Sequence, residues 1–267
     1  MHRTGKRKNS LRINLAGWDN DERPTGRAER EMTFTYAVIA EGGIVLAADS
    51  QVTYTHRDEL GVIGTYEGCR GKIKRTGNRF AFSMAGNGGL ADTLLAKVNL
   101  QEAESLLPSF EAVVQYYEKS MHDELLKIYR PEVRNVPLEI TATFIFCGYT
   151  LAHGQQVPQL VKLDSVSHFL PNPITGRGWA WTGADRHGGA LYLHHRFYRD
   201  GMPLEQAKLL AYCIAAEVAH QDNTVGGPIE VEVITPEKSE PLRDLEKYEN
   251  ARQQMISKIL SYVENFG

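Results

Sequence analysis

Thr33 heads a strand-like run, Thr33-Phe34-Thr35-Tyr36-Ala37-Val38-Ile39-Ala40, which closes on the hairpin signal Glu41-Gly42-Gly43. The partner run, Ile44-Val45-Leu46-Ala47-Ala48, leads directly into Asp49-Ser50. A lysine follows in Gly71-Lys72-Ile73, and Phe80-Ala81-Phe82-Ser83-Met84-Ala85-Gly86 ends in a turn of small residues. A threonine at a strand start, a carboxylate at the end of the partner strand, a lysine and a small-residue turn form a nucleophile set. A threonine hydroxyl is a poor nucleophile near neutrality and needs a base beside it.

The elements that must position these residues alternate between strand and helix. Lys72 to Ala85 reads as a hairpin around Thr76-Gly77-Asn78, Leu90 to Val98 as a helix, and Ser109 to Tyr129 as a longer helix with Ser109 as its N-cap and Pro131 beyond its end. Strands are expected at Leu138 to Cys147, Gln159 to Leu163 and Trp179 to Thr182. Helices from Gly188 to Tyr198 and Leu204 to His220, a strand from Ile229 to Ile234 and an amphipathic helix from Leu242 to Val263, with Leu242, Leu245, Tyr248, Met255, Ile259 and Val263 near one face, complete the chain. The pattern alone specifies one domain of α+β or α/β class.

The chain has 267 residues, 42% hydrophobic and 24% charged, enough for one substantial core. A net charge of -3 argues neither for nucleic acid nor for an acidic partner. Cys69, Cys147 and Cys213 are widely spaced and odd in number, which suggests neither a disulfide framework nor a zinc motif and fits a reducing cytoplasm. Residues 1–32 hold a basic start (Arg3, Lys6, Arg7, Lys8, Arg12) and a charged stretch from Asp19 to Glu31. They read as a disordered extension or propeptide, with no apolar run for a secretory signal or membrane span. His194 and His195 are adjacent and lack metal-ligand spacing; no phosphate loop, dinucleotide fingerprint or Gly-x-Ser-x-Gly elbow occurs, so no metal or cofactor is expected.

From Thr33 onward the chain resembles the β-type subunits of the proteasome, a branch of the N-terminal-nucleophile hydrolases. The Thr33 to Ala48 hairpin matches that family's opening without a gap, and Ala47-Ala48-Asp49-Ser50 resembles its Ala-x-Asp-Ser/Arg signature. Ser83-Met84-Ala85-Gly86 resembles its Ala-Gly turn, Trp181-Thr182-Gly183-Ala184 its Thr-Gly-Ser-Gly, and Gln221-Asp222-Asn223-Thr224-Val225-Gly226-Gly227 its Arg-Asp-x-x-Ser-Gly-Gly. The chain departs from the family at Ala184 and Val225, where serines are usual, and at Met32, where glycine usually precedes the threonine. The interval from Asp49 to Lys72 is also longer, which implies an insertion in the loop that holds Thr55 to Gly61.

The resemblance implies a four-layer α-β-β-α sandwich over residues 33–267 and a threonine peptidase in a ring-shaped, self-compartmentalised homo-oligomer. Peptides or unfolded proteins would be its substrates, with ring partners or an ATPase as further possibilities. Thr33, once first in the chain, would use its own α-amine as base; a free α-amine titrates at roughly 7.7–8.0. Lys72 would favour the alkoxide, Asp49 would hold Lys72, the Gly86 N–H would stabilise the oxyanion, Asp222 would tune the amine and Met84 would line an apolar specificity pocket. A start at Met32 followed by methionine removal would expose Thr33 directly. Each residue also has a plain reading. Thr33 is an ordinary strand residue, Asp49 and Gly86 turn residues, Lys72 a surface lysine beside Lys74 and Arg75, Asp222 a helix-ending residue and Met84 core. Two alternatives stand beside the peptidase: a catalytically silent structural subunit, and a specialised amidase or peptide ligase with the same nucleophile.

Overall fold

Alternation along the first strands sorts their side chains onto opposite faces. In β1 (Phe34–Ala40), Phe34, Tyr36 and Val38 join one buried cluster while Ala37 joins another. In β2 (Gly43–Ala48), Val45 and Ala47 go with the first set, and Ile44 and Leu46 with the second. Both strands are buried along almost their whole length, because one face meets helices and the other meets a second sheet. The computed structural model describes residues 33–57, 63–106, 109–129, 141–183, 188–222 and 225–264. The expected N-terminal extension, Ala184, residues 138–140 and residues 58–62 of the expected insertion lie outside the described residues.

The chain continues through β3 (Gln51–Arg57), β4 (Ile63–Cys69), β5 (Ile73–Thr76), β6 (Phe80–Gly86), α1 (Gly88–Leu95), α2 (Leu100–Ser105) and α3 (Phe110–Ile128). Then come β7 (Ala142–Ala152), β8 (Gln155–Asp164), β9 (Asn172–Pro173), β10 (Trp179–Gly183), α4 (Gly189–Phe197), α5 (Leu204–Gln221), β11 (Glu230–Ile234), β12 (Ser239–Pro241) and α6 (Leu245–Glu264). One sheet has the order β10-β1-β2-β11-β12, the second β5-β6-β7-β8-β9, and β3 and β4 form a separate hairpin. All of these pairings are antiparallel.

Three apolar clusters join these parts. Ala37, Ile44 and Leu46 of the first sheet meet Ala81, Ile145, Cys147 and Leu160 of the second. Phe80, Phe82, Phe144 and Phe146 pack against Leu94, Val113, Tyr117 and Met121 of α1 and α3. Tyr36, Val45 and Val231 pack against Ala211, Ile214 and Val218 of α5. Ser109 caps α3 as expected, accepting from the Ala112 amide, and Asn87 and Asn99 cap α1 and α2, accepting from Leu90 and from Gln101 and Glu102.

Four readings change. The insertion after Asp49 is a hairpin rather than a loop, paired from Gln51↔Cys69 to Arg57↔Ile63. Strand β8 starts four residues before the expected Gln159, because β9 flanks it only at Val161 and Lys162 and leaves Pro158 on an open edge where no N–H is required. Helix α2 has six residues, too few for its periodicity to be read. Along α6, Tyr248 is buried and Leu245 packs on the core, but Met255, expected on the same face, is exposed.

Candidate active site

Strand parity sets the direction of Thr33. It alternates with Phe34, whose ring faces the α5 layer, and shares its side with Thr35 and Ala37, which face the second sheet. The Thr35 hydroxyl donates to Ser83 Oγ at 2.5 Å across the gap between the sheets. Thr33 itself is 2% exposed. Gly183, opposite Phe34 on β10, lets that strand lie against it: a Cβ there would sit 1.6 Å from the Thr33 carbonyl oxygen.

Asp49 ends β2 and is fully buried. Its Oδ1 accepts the Phe34 amide at 2.8 Å, and its Oδ2 accepts the amides of Gln51 at 3.2 Å and Gly226 at 3.1 Å. Lys72 Nζ, on a side chain that is 1% exposed, donates to both oxygens at 3.1 and 3.0 Å and also to the Gln51 carbonyl. Burial pushes the Asp49 carboxyl above its ordinary range, while the Lys72 ammonium and the Phe34 and Gly226 amides pull it back. Three amides and an ammonium converge on one carboxylate, an arrangement suited to its ionised form. One side chain thus fixes both the residue after Thr33 and the Lys72 ammonium. Lys72 is no surface lysine, and Asp49 is more than a turn residue.

Asp222, Val225 and Gly226 lead back to the same carboxylate. Asp222 ends α5, and its carbonyl accepts the Val225 amide at 3.0 Å. The Gly226 amide then reaches Asp49, while its carbonyl accepts the Ser50 and Gln51 amides. Val225 is buried in the α5 cluster, so an apolar contact occupies the place where the resemblance implied a hydroxyl.

Gly86 ends β6 at φ 96°, a left-handed conformation, and a Cβ there would lie 2.2 Å from the Thr141 carbonyl oxygen. That carbonyl accepts the Asn87 amide at 2.6 Å. Asn87 then caps α1. The turn is therefore gripped on both sides, as a fixed N–H donor requires.

Thr33, Lys72, Met84 and Gly86 line one narrow recess, together with Arg70. Met84 belongs to the core cluster under α1 and also lines the recess. Asp49 lies behind Lys72, and Asp222 lies outside the recess lining. Arg70, which the residue pattern did not single out, holds Asp92 of α1 with one guanidinium nitrogen and approaches Met84 Sδ at 3.9 Å with the other. Its only sequence signal is adjacency to Gly71-Lys72.

Elsewhere, Cys147 and Cys213 are buried, and burial pushes the Cys213 thiol up to about 11. Among the described residues no His/Cys/Asp/Glu group has the arrangement of a metal site, and no helix is long and apolar enough to cross a membrane.

No protein-family model matches the chain, and no curated protein sequence does. Solved structures do. Anbu from Yersinia bercovieri, described as an ancestral β-subunit, superposes with a TM-score of 0.66 at 13% identity, over 87% of this chain and 96% of its own. Anbu from Hyphomicrobium sp. strain MC1 gives 0.62 at 17% identity over 87% and 97%, and the Anbu complex from Pseudomonas aeruginosa 0.66 at 17% over 87% and 96%. The fold is that of Anbu.

This corrects the resemblance to proteasome β-type subunits drawn from the motifs. Among the described residues of those motifs, Asp49 and Gly183 both meet Phe34 next to Thr33, and Gly226 meets Asp49. They report the centre and do not separate one branch of related folds from another. The β3–β4 hairpin and the buried Val225 stand at two of the departures from the family that the sequence itself marks.

Proposed function

We propose that this chain is an N-terminal-nucleophile hydrolase that cleaves amide bonds through an acyl-enzyme on Thr33. The observation that carries this reading is the Asp49 carboxylate, which binds the Phe34 amide and the Lys72 ammonium at once. Residues 33–267 form the working unit, with α1 to α3, the second sheet, the first sheet and α4 to α6 stacked in four layers. The three apolar clusters support that order.

The chemistry requires removal of residues 1–32. The freed Thr33 amine takes the proton from its own hydroxyl, and the oxygen attacks the substrate carbonyl carbon. Lys72 stabilises the forming alkoxide, and the Gly86 N–H donates to the oxyanion. Such a donor contributes roughly 2.7–4 kcal/mol in other enzymes. The protonated amine then gives its proton to the departing amine as the C–N bond breaks. Water, deprotonated by the same amine, hydrolyses the ester and regenerates Thr33. Asp49 holds Lys72, and Asp222 sets the turn that delivers the Gly226 amide. Met84 gives the recess an apolar wall and Arg70, paired with Asp92, a polar edge, which favours an apolar residue of an extended peptide.

A Pseudomonas aeruginosa relative in structure forms a helical assembly of the Anbu complex. We extend this to copies of the present chain, with an open helical arrangement in place of the expected ring. A silent scaffold is the second reading, favoured by the near-complete burial of Thr33 and by Val225.

The test uses the full-length chain, purified and exposed to a peptide β-lactone that acylates hydroxyl nucleophiles. A single adduct on Thr33, lost in Thr33→Ala together with at least about a hundredfold of the amidase activity, is expected. A wild-type protein that takes no adduct supports the scaffold instead. Transfer of the acyl group to an added amine in preference to water identifies a ligase.

A further inference from the structure

Strand β5 is the outer strand of its sheet, so backbone N–H groups on its free side need acceptors. At its start those acceptors come from the other sheet. Glu230 Oε2 accepts the Lys72 amide at 2.8 Å and the Ile73 amide at 3.2 Å. Glu230 opens β11 and lies directly opposite Ala48, the residue that delivers Asp49. A Cβ on Gly71 would come within 3.1 Å of Glu230 Oε1, so the absence of a side chain there gives the carboxylate its room. Two residues along the same face, Glu232 takes Arg75 through two bonds of 2.6 and 3.1 Å and accepts Ser239 Oγ at 2.6 Å. Strand β11 thus grips β5 with two carboxylates, one at the backbone of Lys72 and one at Arg75.

We propose that Glu230 is a positioning residue for Lys72: it fixes the lysine's backbone beside β2 so that the ammonium meets Asp49 and faces Thr33. This rests on the role proposed for Lys72 above. What matters is the reach of the side chain rather than its charge. A glutamine carbonyl oxygen occupies the place of Oε2 and accepts the same two amides, whereas an aspartate falls one methylene short.

The test compares full-length Glu230→Gln, Glu230→Asp and Glu230→Ala with the parent protein by two readouts. The first is hydrogen exchange at the Lys72 and Ile73 amides, which needs no activity. Exchange at least about tenfold faster in the Asp and Ala variants, and within about threefold of the parent in Gln, is expected. The second is acylation by the peptide β-lactone. Its rate constant at saturation is expected to fall about tenfold in Asp and Ala, with the half-saturating concentration unchanged, and to be rescued in Gln. The Gln and Asp pair decides the matter if the Ala variant does not fold. Parent-like exchange in the Asp variant overturns the proposal, and so does faster exchange with unchanged acylation. If the parent itself takes no adduct, the hydrolase reading fails separately. The exchange comparison then still decides whether Glu230 places Lys72.

Discussion

Lys72 and Asp49 are each almost entirely removed from water, so each charge depends on the other. Breaking such a pair from one side leaves an uncompensated buried charge, at a cost of about 3–5 kcal/mol. Urea denaturation of Lys72→Ala and of Asp49→Ala is expected to show that loss in each. The double variant is expected to lose much less than the sum, since the same pair is removed only once. Additive losses would show that the two residues act independently. Thr33, Asp49, Lys72 and Gly86 were legible in the sequence because each sits at the end of a strand or in a turn whose signal is local. Arg70 and Glu230 were not. Glu230 reads as an exposed strand residue, and its purpose appears only when β11 approaches a lysine 158 positions away.

At the scale of elements, α4 is seated on the first sheet by His194, which is 2% exposed. The Tyr36 hydroxyl lies 2.7 Å from its Nδ1, Trp179 and Tyr198 flank its ring, and His195 follows it on the helix. Burial and His195 hold the His194 pKa down to about 4. An unfolded chain binds that proton near pH 6.5 and the folded one does not until about pH 4, so this contribution to stability is complete above pH 6.5 and is lost as pH falls toward 4. Denaturation at pH 5 is expected to show a deficit of about 1–2 kcal/mol relative to pH 7, absent in His194→Gln. An equal deficit in that variant would place the effect elsewhere. The helix itself was visible in the sequence, but its aromatic surroundings come from β1 and β10, which the chain brings together only in three dimensions. The β3–β4 hairpin shows the converse limit. Read as an insertion in a loop, it becomes a hairpin only through the pairing of Gln51–Arg57 with Ile63–Cys69.

For the whole molecule, the fold brings the ends of β2 and β6, the start of β5 and Gly226 close to Thr33. Its two sheets explain why strands buried on both faces carry little polar alternation. The motif order picked out residues that gather around Asp49, whereas the likeness to Anbu came only from comparison of complete folds. Light scattering of the purified protein is expected to give a mass of many chains, with electron microscopy showing an open helical arrangement; a monomer at micromolar concentration would contradict that assembly. The proposed chemistry requires Thr33 to become the first residue. The most direct test is the intact mass and N-terminal sequence of the protein from its native host, read before and after exposure to the peptide β-lactone. A chain that begins at Thr33 and gains one adduct on that residue is the predicted result. A chain that retains residues ahead of Thr33 and gains none would contradict the hydrolase and leave the scaffold.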